Sequence, residues 1–263
     1  MPILCYEITG SASPNPRSTT GAEDGQLSAV LKADHEAATA QVYSELVANR
    51  LAMFLGIPVV VGVPARAATD ERLRFAALRA AEASLNVYDF TDDDHADPDA
   101  DEYAEVALPE GMHTQSGHAY AIKSLCEKYP LETAQIAVFD LWIGNEDRAL
   151  NFKAELSSQD RGVIFALDQG SSLLACRRGI EESLACLERA DQPTFHPFQK
   201  LVNARYCGAM VERIMSMPDW AILSATTYDD TVGNVMLHEQ FATYEVLLRR
   251  KKMLGDLVDR VLL

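Results

Sequence analysis

The middle of the chain carries two polar segments that flank one short apolar strand. The first is FDLWIGNEDRALNF at residues 139–152, in which an apolar helix end passes directly into charged and amide side chains. The second is LDQGSS at residues 167–172, and it follows the apolar run GVIFA at residues 162–166. A strand between two turns can bring those turns together. The pattern therefore predicts that the two polar segments are halves of one site.

The rest of the chain divides into a strand-rich first part and a helical second part. Strand-forming residues are concentrated in three apolar runs, and helical periodicity dominates from about residue 116. Residues 10–25, rich in Gly, Pro and Ser, are predicted to be a loop at the tip of a hairpin. The order predicts an α+β fold with two lobes and a cleft between them. The predicted strands are ILCYEIT at 3–9, LSAVLK at 27–32 and IPVVVGVP at 57–64.

This pattern predicts a single domain, residues 1–263, with an N-lobe over about 1–112 and a C-lobe over about 113–263. The clearest helix covers residues 34–56, where Asp34 is the predicted N-cap and Gly56 the predicted stop. Residues 70–85 have helical propensity but could include a strand near Phe75–Leu78, and the pattern leaves both choices open.

Charge and cysteine content restrict the class of partner and compartment. The 263 residues include 39 Asp and Glu against 23 Lys and Arg, a net charge of -16. Such an acidic surface repels nucleic acids and anionic membranes, so neither is an expected partner. Part of the acidity lies at residues 89–105, a predicted solvated loop. The five Cys form no CxxC pair, and no apolar run approaches a membrane span, which predicts a soluble cytoplasmic protein with reduced thiols.

The polar segments contain oxygen groups suited to phosphoryl transfer. Magnesium is commonly held by one or two carboxylates together with substrate phosphates, and Asn151 and Asp168 offer two such oxygens. Asp147 could orient or deprotonate a hydroxyl nucleophile, and Lys32 at a strand end could hold phosphates as a point charge. Taken one at a time, Asp147, Asn151 and Asp168 are also ordinary turn formers. Their order along the chain favours the site.

These motifs resemble the HipA-like kinases and, more distantly, the type II phosphatidylinositol 4-kinases, all within the wider protein-kinase-like fold. The resemblance spans residues 27–62 and 133–174 and implies a bilobed fold with a small strand-rich N-lobe and a mainly helical C-lobe. It implies an ATP- and Mg-dependent phosphotransferase, most simply a Ser/Thr protein kinase. The segments that carry it are AVLK, SELVANRLAMFLGIPVV, FDLWIGNEDRALNF and FALDQGSSL.

The resemblance also implies a role for each matching residue. Lys32 would contact the ATP phosphates, and Glu45 on the following helix would pair with Lys32. Asp147 would be the catalytic carboxylate, and Arg148 together with Asn145 would shape the catalytic turn. The remaining assignments are Asn151 and Asp168 as magnesium ligands, and Gly10, Ser11 and Ser13 as the loop that covers the phosphates.

Three departures from the family pattern keep other functions open. Asn151 lies four residues after Asp147, where the family usually has five, Gln169 replaces the Phe of protein kinases, and the first loop has no G-x-G-x-x-G. One alternative is a soluble small-molecule or lipid kinase on the same scaffold. The other is a catalytically silent protein that binds a nucleotide or a partner. ATP, and a hydroxyl on a protein or a small molecule, are the expected ligands of the active form.

Overall fold

The chain is strand-rich in its N-terminal part and mainly helical in its C-terminal part, which confirms the predicted α+β fold class. The computed structural model of the protein describes residues 4–81, 87–89, 118–148, 151–156 and 162–263. The predicted acidic loop beyond residue 89 and the predicted lobe boundary at 112–113 lie outside these ranges. Within the described ranges, no helix is both long and apolar enough to cross a lipid bilayer.

Two small antiparallel sheets form the N-terminal part. β1 (Ile8–Pro14) pairs with β2 (Glu23–Leu27) as a hairpin. The second sheet has the strand order β3-β5-β4. Its members are β3 (Ala29–Lys32), β4 (Gly62–Ala67) and β5 (Asp70–Leu78). The sequence left helix and strand open for residues 70–85, and the structure shows that Asp70–Leu78 form a strand.

The hairpin is longer than its composition predicts. Residues 10–14 and 23–25, predicted to be loop, belong to β1 and β2, and the turn between the two strands is limited to residues 15–22. All seven residues of β1 are exposed, so small polar side chains can occupy both faces while the backbone pairing holds the strand. Composition alone could not show this pairing.

The predicted strand at residues 57–64 is also displaced, because β4 begins only at Gly62. The residues before it pair with β8 (Ile164–Ala166) in the C-terminal part. The Ala166 N–H donates to Pro58 O at 2.8 Å, and the Val60 N–H donates to Ala166 O at 3.3 Å. This short ladder connects the N-terminal sheets to the strand that precedes LDQGSS.

Helix α1 (Gln41–Leu55) begins later than predicted, and its N-cap residue is Ala40 and not Asp34, although the Asp34 side chain still accepts a hydrogen bond from its first turn. The buried Asp34 carboxylate accepts the Val42 N–H at 2.8 Å through Oδ1 and the Asn234 N–H at 3.1 Å through Oδ2. This acceptor therefore lies outside the helix and also holds the C-terminal part. Gly56 ends α1 at φ 68°, as predicted, because a glycine adopts this left-handed conformation without strain.

We expect Asp34→Ala to lower the free energy of unfolding by about 2 kcal/mol, because two backbone N–H groups would lose their acceptor. Urea unfolding followed by circular dichroism measures the change. Glu36→Ala, an exposed acidic residue on the same loop, is the matched control and should change stability by less than about 0.5 kcal/mol. An equal effect of the two substitutions would contradict this role of the Asp34 carboxylate.

Among the described residues, the C-terminal part contains six α-helices, and its strands β7 and β8 form a three-stranded sheet of order β6-β7-β8. The helices predicted from periodicity are confirmed, while the short α6 was not resolved from the sequence. α3 is almost entirely buried and ends at Gly144, immediately before the polar turn. The elements are β6 (Val87–Asp89), α2 (His118–Lys128), α3 (Pro130–Ile143), β7 (Phe152–Glu155), α4 (Ile180–Glu188), α5 (Ala204–Met215), α6 (Asp219–Thr226) and α7 (Leu237–Val261).

One buried cation from α7 binds the end of α3. The Arg250 guanidinium, 1% exposed, donates to Leu141 O at 2.6 Å and to Trp142 O at 2.8 Å. It also donates to Leu187 O at 2.8 Å. The last carbonyls of a helix have no partner within the helix, so this arginine supplies donors that α3 itself lacks.

Candidate active site

Lys32 joins three elements at the front of the cleft. Its Nζ lies 2.5 Å from Glu45 Oε1 and 2.5 Å from Asp168 Oδ1. Glu45 projects from α1 and is 2% exposed, whereas the Asp168 side chain is 38% exposed. The pairing of Lys32 with Glu45 that the family resemblance implies is present, and Asp168 shares the same ammonium group.

The two carboxylates beside Lys32 have pKa values shifted in opposite directions. Burial raises the pKa of Glu45 to about 7, against the opposing effect of Lys32. Burial also acts to raise the pKa of Asp168, but Lys32 and the Gly170 N–H together outweigh it and hold that pKa below its usual range. Asp168 is therefore the fully ionised member of the pair, as a cation ligand must be.

Asp168 has an uncommon backbone conformation for a non-glycine residue, with φ 42°. Aspartate tolerates this region because its side chain can bond to nearby backbone, and here Oδ1 accepts the Gly170 N–H at 3.1 Å. A Cβ on Gly170 would lie 2.9 Å from Gln41 Nε2, so the end of the Gln41 side chain would have to move to admit one. The D-Q-G turn aims the Asp168 carboxylate at Lys32.

Asp147 lies exposed on the turn that follows α3. Its backbone N–H donates to the Asn145 side chain at 3.1 Å, and Asn145 Nδ2 donates to Asp140 Oδ1 at 2.9 Å. The Asp147 carboxylate accepts the Ser171 hydroxyl at 3.3 Å. A hydroxyl can thus approach this carboxylate from the side of the D-Q-G turn.

Arg148 lies inside the protein and does not face the cleft. Its side chain is 1% exposed and bonds to Asp140 through Nε at 2.7 Å and through Nη2 at 2.9 Å. It also donates to Gln169 Oε1 at 2.7 Å and to Asn151 O and Leu167 O, both at 2.6 Å. Arg148 is therefore a positioning residue that ties the two polar segments together, and its guanidinium does not reach into the cleft.

Asp140 and His196 complete this buried network, and sequence reasoning missed both. His196 Nε2 lies 3.3 Å from Asp140 Oδ2, and burial holds the pKa of His196 below its usual value. Burial acts to raise the pKa of Asp140, but Arg148 and His196 outweigh it and lower that pKa. The available signal was Asp140 itself, an acidic residue within the apolar helix end FDLWI.

The shortened Asp147–Asn151 spacing has a visible structural consequence. Asn151 Nδ2 donates to the Asp147 carbonyl at 2.6 Å, so the side-chain amide closes the turn. The amide oxygen of Asn151 is then the atom that could face a cation. The Asn151 backbone is fixed at the same time, because Leu167 N–H donates to Asn151 O at 2.8 Å.

Gly10, Ser11 and Ser13 do not form the tip of the hairpin. They lie along β1, and all three are exposed. Gly10 has φ 74°, within the irregular stretch of the β1–β2 pairing. The site formed by Lys32, Glu45, Asp168 and Asp147 does not depend on them in this structure.

A cavity of about 400 Å³ continues the site toward the segment that leaves β5. Val30 precedes Lys32 by two residues on the same face of β3, and Leu167 precedes Asp168, so the cavity and the charged cluster share two elements. Most of its lining surface is apolar, and the charged residues Glu7, Arg79 and Lys153 also line it, a combination that suits a flat heterocycle. The residues that line it include Glu7, Val60, Ala77, Leu78, Arg79, Ala80, Ala81 and Phe165.

Comparison with known proteins identifies the fold. No protein-family model matches this sequence, and no curated protein matches it. Among solved structures, the crystal structure of a Helicobacter pylori proinflammatory kinase, CtkA, matches with a TM-score of 0.59. The match covers 97% of this chain and 96% of that chain at 16% sequence identity. The strand-rich N-terminal part, the helical C-terminal part and this match show that the chain has a kinase-like fold.

Proposed function

We propose that this protein is an ATP- and Mg-dependent phosphotransferase that moves the γ-phosphoryl group of ATP to a hydroxyl, most simply a Ser or Thr on a protein. The observation that carries the proposal is the position of Lys32 Nζ, 2.5 Å from both Glu45 and Asp168 beside a cavity large enough for a base. A lysine held in this way is a fixed positive charge for phosphate oxygens.

The oxygen groups at the site fit magnesium. Asp168 supplies an ionised carboxylate and Asn151 an amide oxygen, and substrate phosphates and water commonly complete the coordination of this ion. A bound magnesium ion would neutralise charge that develops on the transferred group. The short contact between Lys32 and Asp168 keeps the carboxylate charge balanced in this structure.

The chain's own residues account for the remaining requirements of the reaction. Lys32 would orient the phosphates, with Glu45 limiting its movement. The hydroxyl that receives the phosphoryl group would donate a hydrogen bond to the Asp147 carboxylate, as the Ser171 hydroxyl does in this structure. Asp147 would then take the proton of that hydroxyl as the bond from its oxygen to phosphorus forms. Positioning and charge stabilisation, with no covalent enzyme intermediate, are sufficient for this chemistry.

The turn geometry also supports a second candidate function, a catalytically silent nucleotide-binding protein. The Asn151 amide closes the Asp147 turn at 2.6 Å, which would weaken a metal site while leaving the cavity and Lys32 intact. In that case a nucleotide would bind without a requirement for magnesium. The soluble small-molecule kinase and the protein kinase share the same site and differ only in the acceptor.

A thermal-shift titration with ATP tests these functions. At an ATP concentration about 100 times its dissociation constant, we expect about 2.7 kcal/mol of stabilisation, seen as a raised Tm that requires magnesium. Asp168→Ala should remove the magnesium dependence. Stabilisation by ATP alone, unchanged by magnesium, would support the silent protein, and the absence of any shift would rule out nucleotide binding.

The acceptor is tested by incubating the protein with γ-labelled ATP and fractionated cell extract. Label in protein bands would support the protein kinase, whereas label confined to small molecules or lipids would support the other kinases. The Asp168→Ala variant is the control that separates this transfer from contaminating kinases in the extract.

A further inference from the structure

The N-terminal residues 5–7 pair with residues 79–81, the segment that leaves β5. The Glu7 N–H donates to Arg79 O at 3.0 Å, and the Ala81 N–H donates to Cys5 O at 2.9 Å. Tyr6 and Ala80 form an antiparallel bridge between these two bonds. Two further bonds fix this segment: the Tyr6 hydroxyl accepts the Val61 N–H at 2.8 Å, and the Glu7 carbonyl accepts the Ser28 N–H at 2.9 Å.

Both residues whose backbone groups are used in this pairing, Arg79 and Ala81, also line the cavity. Alternate residues of a strand direct their N–H and C=O groups to opposite edges. The Leu78 N–H donates to Val61 O on one edge, and the Arg79 N–H donates to Ser28 O on the other, beside β3. Arg79 O and Ala81 N–H therefore lie on the β3 edge, and both residues line the cavity of about 400 Å³.

The backbone groups of Arg79 and Ala81 could recognise a base in this cavity by hydrogen bonding. A flat heterocycle in such a cavity is held by apolar contacts on its faces and oriented by a few polar groups at its rim. Arg79 O and Ala81 N–H are an acceptor and a donor two residues apart. In this structure both already have partners in the N-terminal segment.

We infer that residues 5–7 are an internal strand that occupies the base-recognition edge of the nucleotide site, and that a nucleotide must release this strand to pair with Arg79 and Ala81. The inference rests on the proposed nucleotide binding and adds a means of regulation to it. The pairing is the same kind of strand addition by which separate peptides bind to a sheet edge.

The expected size of the effect follows from the population of the released state. The apparent dissociation constant equals the intrinsic one divided by the fraction of molecules in which the edge is accessible. One backbone hydrogen bond changes such an equilibrium by about two- to ten-fold. Removing the bond between the Glu7 N–H and Arg79 O should therefore tighten nucleotide binding by about five-fold.

Glu7→Pro tests this, because proline has no N–H to donate to Arg79 O but keeps the carbonyl that accepts the Ser28 N–H. Glu7→Ala is the matched control, since it removes the carboxylate that lines the cavity but keeps the N–H. Isothermal titration with Mg-ATP should give a dissociation constant about five-fold lower for Glu7→Pro than for Glu7→Ala. Equal constants for the two variants would overturn the inference. Tyr6→Phe, which loosens the third attachment point, provides a second variant if the proline variant fails to fold.

Amide exchange followed by NMR provides a readout within the wild-type protein. With saturating Mg-ATP, we expect the Glu7 amide to lose protection while the Ala81 amide stays protected by its new partner. If ATP binds and Glu7 remains protected, the inference fails while nucleotide binding stands. If neither the wild type nor Glu7→Pro binds ATP, the proposed function fails. Binding by Glu7→Pro alone would support both.

Discussion

Asp147→Asn should reduce the rate of phosphoryl transfer by about 10²- to 10⁴-fold, the usual contribution of a positioned proton acceptor. The substitution keeps the size of the side chain and removes its capacity to take a proton. Asp147 is exposed. Among the described residues, the one hydrogen bond of its carboxylate is that from the Ser171 hydroxyl to Oδ2, so the fold should be unaffected. Single-turnover measurement with γ-labelled ATP and the acceptor fraction gives the rate.

Glu146→Gln is the control for this substitution. Glu146 is the exposed neighbour of Asp147 and forms an ion pair with Arg177 at 2.9 Å, away from Lys32 and Asp168. Its loss should leave transfer within about two-fold of the wild type. If Asp147→Asn kept the wild-type rate, or if both substitutions reduced it equally, Asp147 would not be the proton acceptor. Unchanged ATP binding by Asp147→Asn would show that only the chemical step is affected.

Arg148→Met should lower the free energy of unfolding by about 3–5 kcal/mol, the usual effect of removing one partner from a buried ion pair. Asp140 is 0% exposed and would remain charged with only His196 and Asn145 as side-chain partners. The carbonyls of Asn151 and Leu167 would also lose a shared donor. Urea unfolding monitored by circular dichroism measures the loss.

Two further variants separate the buried charge from side-chain packing. Arg177→Met removes an exposed ion pair of similar geometry and should change stability by no more than about 1 kcal/mol. The double variant Asp140→Leu, Arg148→Met removes both charges and should recover part of the lost stability. A double variant less stable than Arg148→Met would contradict the explanation based on an uncompensated charge.

The parts of the site that follow from local spacing were accessible from the sequence. Lys32 and Asp168 belong to short motifs in which neighbouring residues define a strand end and a turn, whereas Glu45 followed from the family resemblance. The structure brings all three side chains into contact. Gly56 ended a helix as its conformational freedom predicts. Glycine, helix periodicity and strand ends act over a few residues, so the sequence displays them directly.

The parts that depend on distant residues were not accessible. His196 is 56 positions from Asp140 in the chain, and Asp34 binds the first turn of a helix from eight positions before Val42 while also binding Asn234. No local pattern indicates such contacts. For the same reason the predicted loop at residues 10–25 became part of a hairpin, since pairing with a second strand decided its conformation.

The attachment of Arg250 to the end of α3 has a consequence for how the protein is made. Arg250, which binds Leu141 and Trp142, is about 100 residues after the polar turn at Asn145–Arg148. The ribosome therefore adds Arg250 roughly 5–20 s after the turn at ordinary translation rates. Once Asp168 has also been made, the growing chain contains every proposed reacting group but lacks the support behind them. A chain that is nascent or broken before Arg250 should therefore be unable to phosphorylate its surroundings, and competence should arise only after Arg250 has been added.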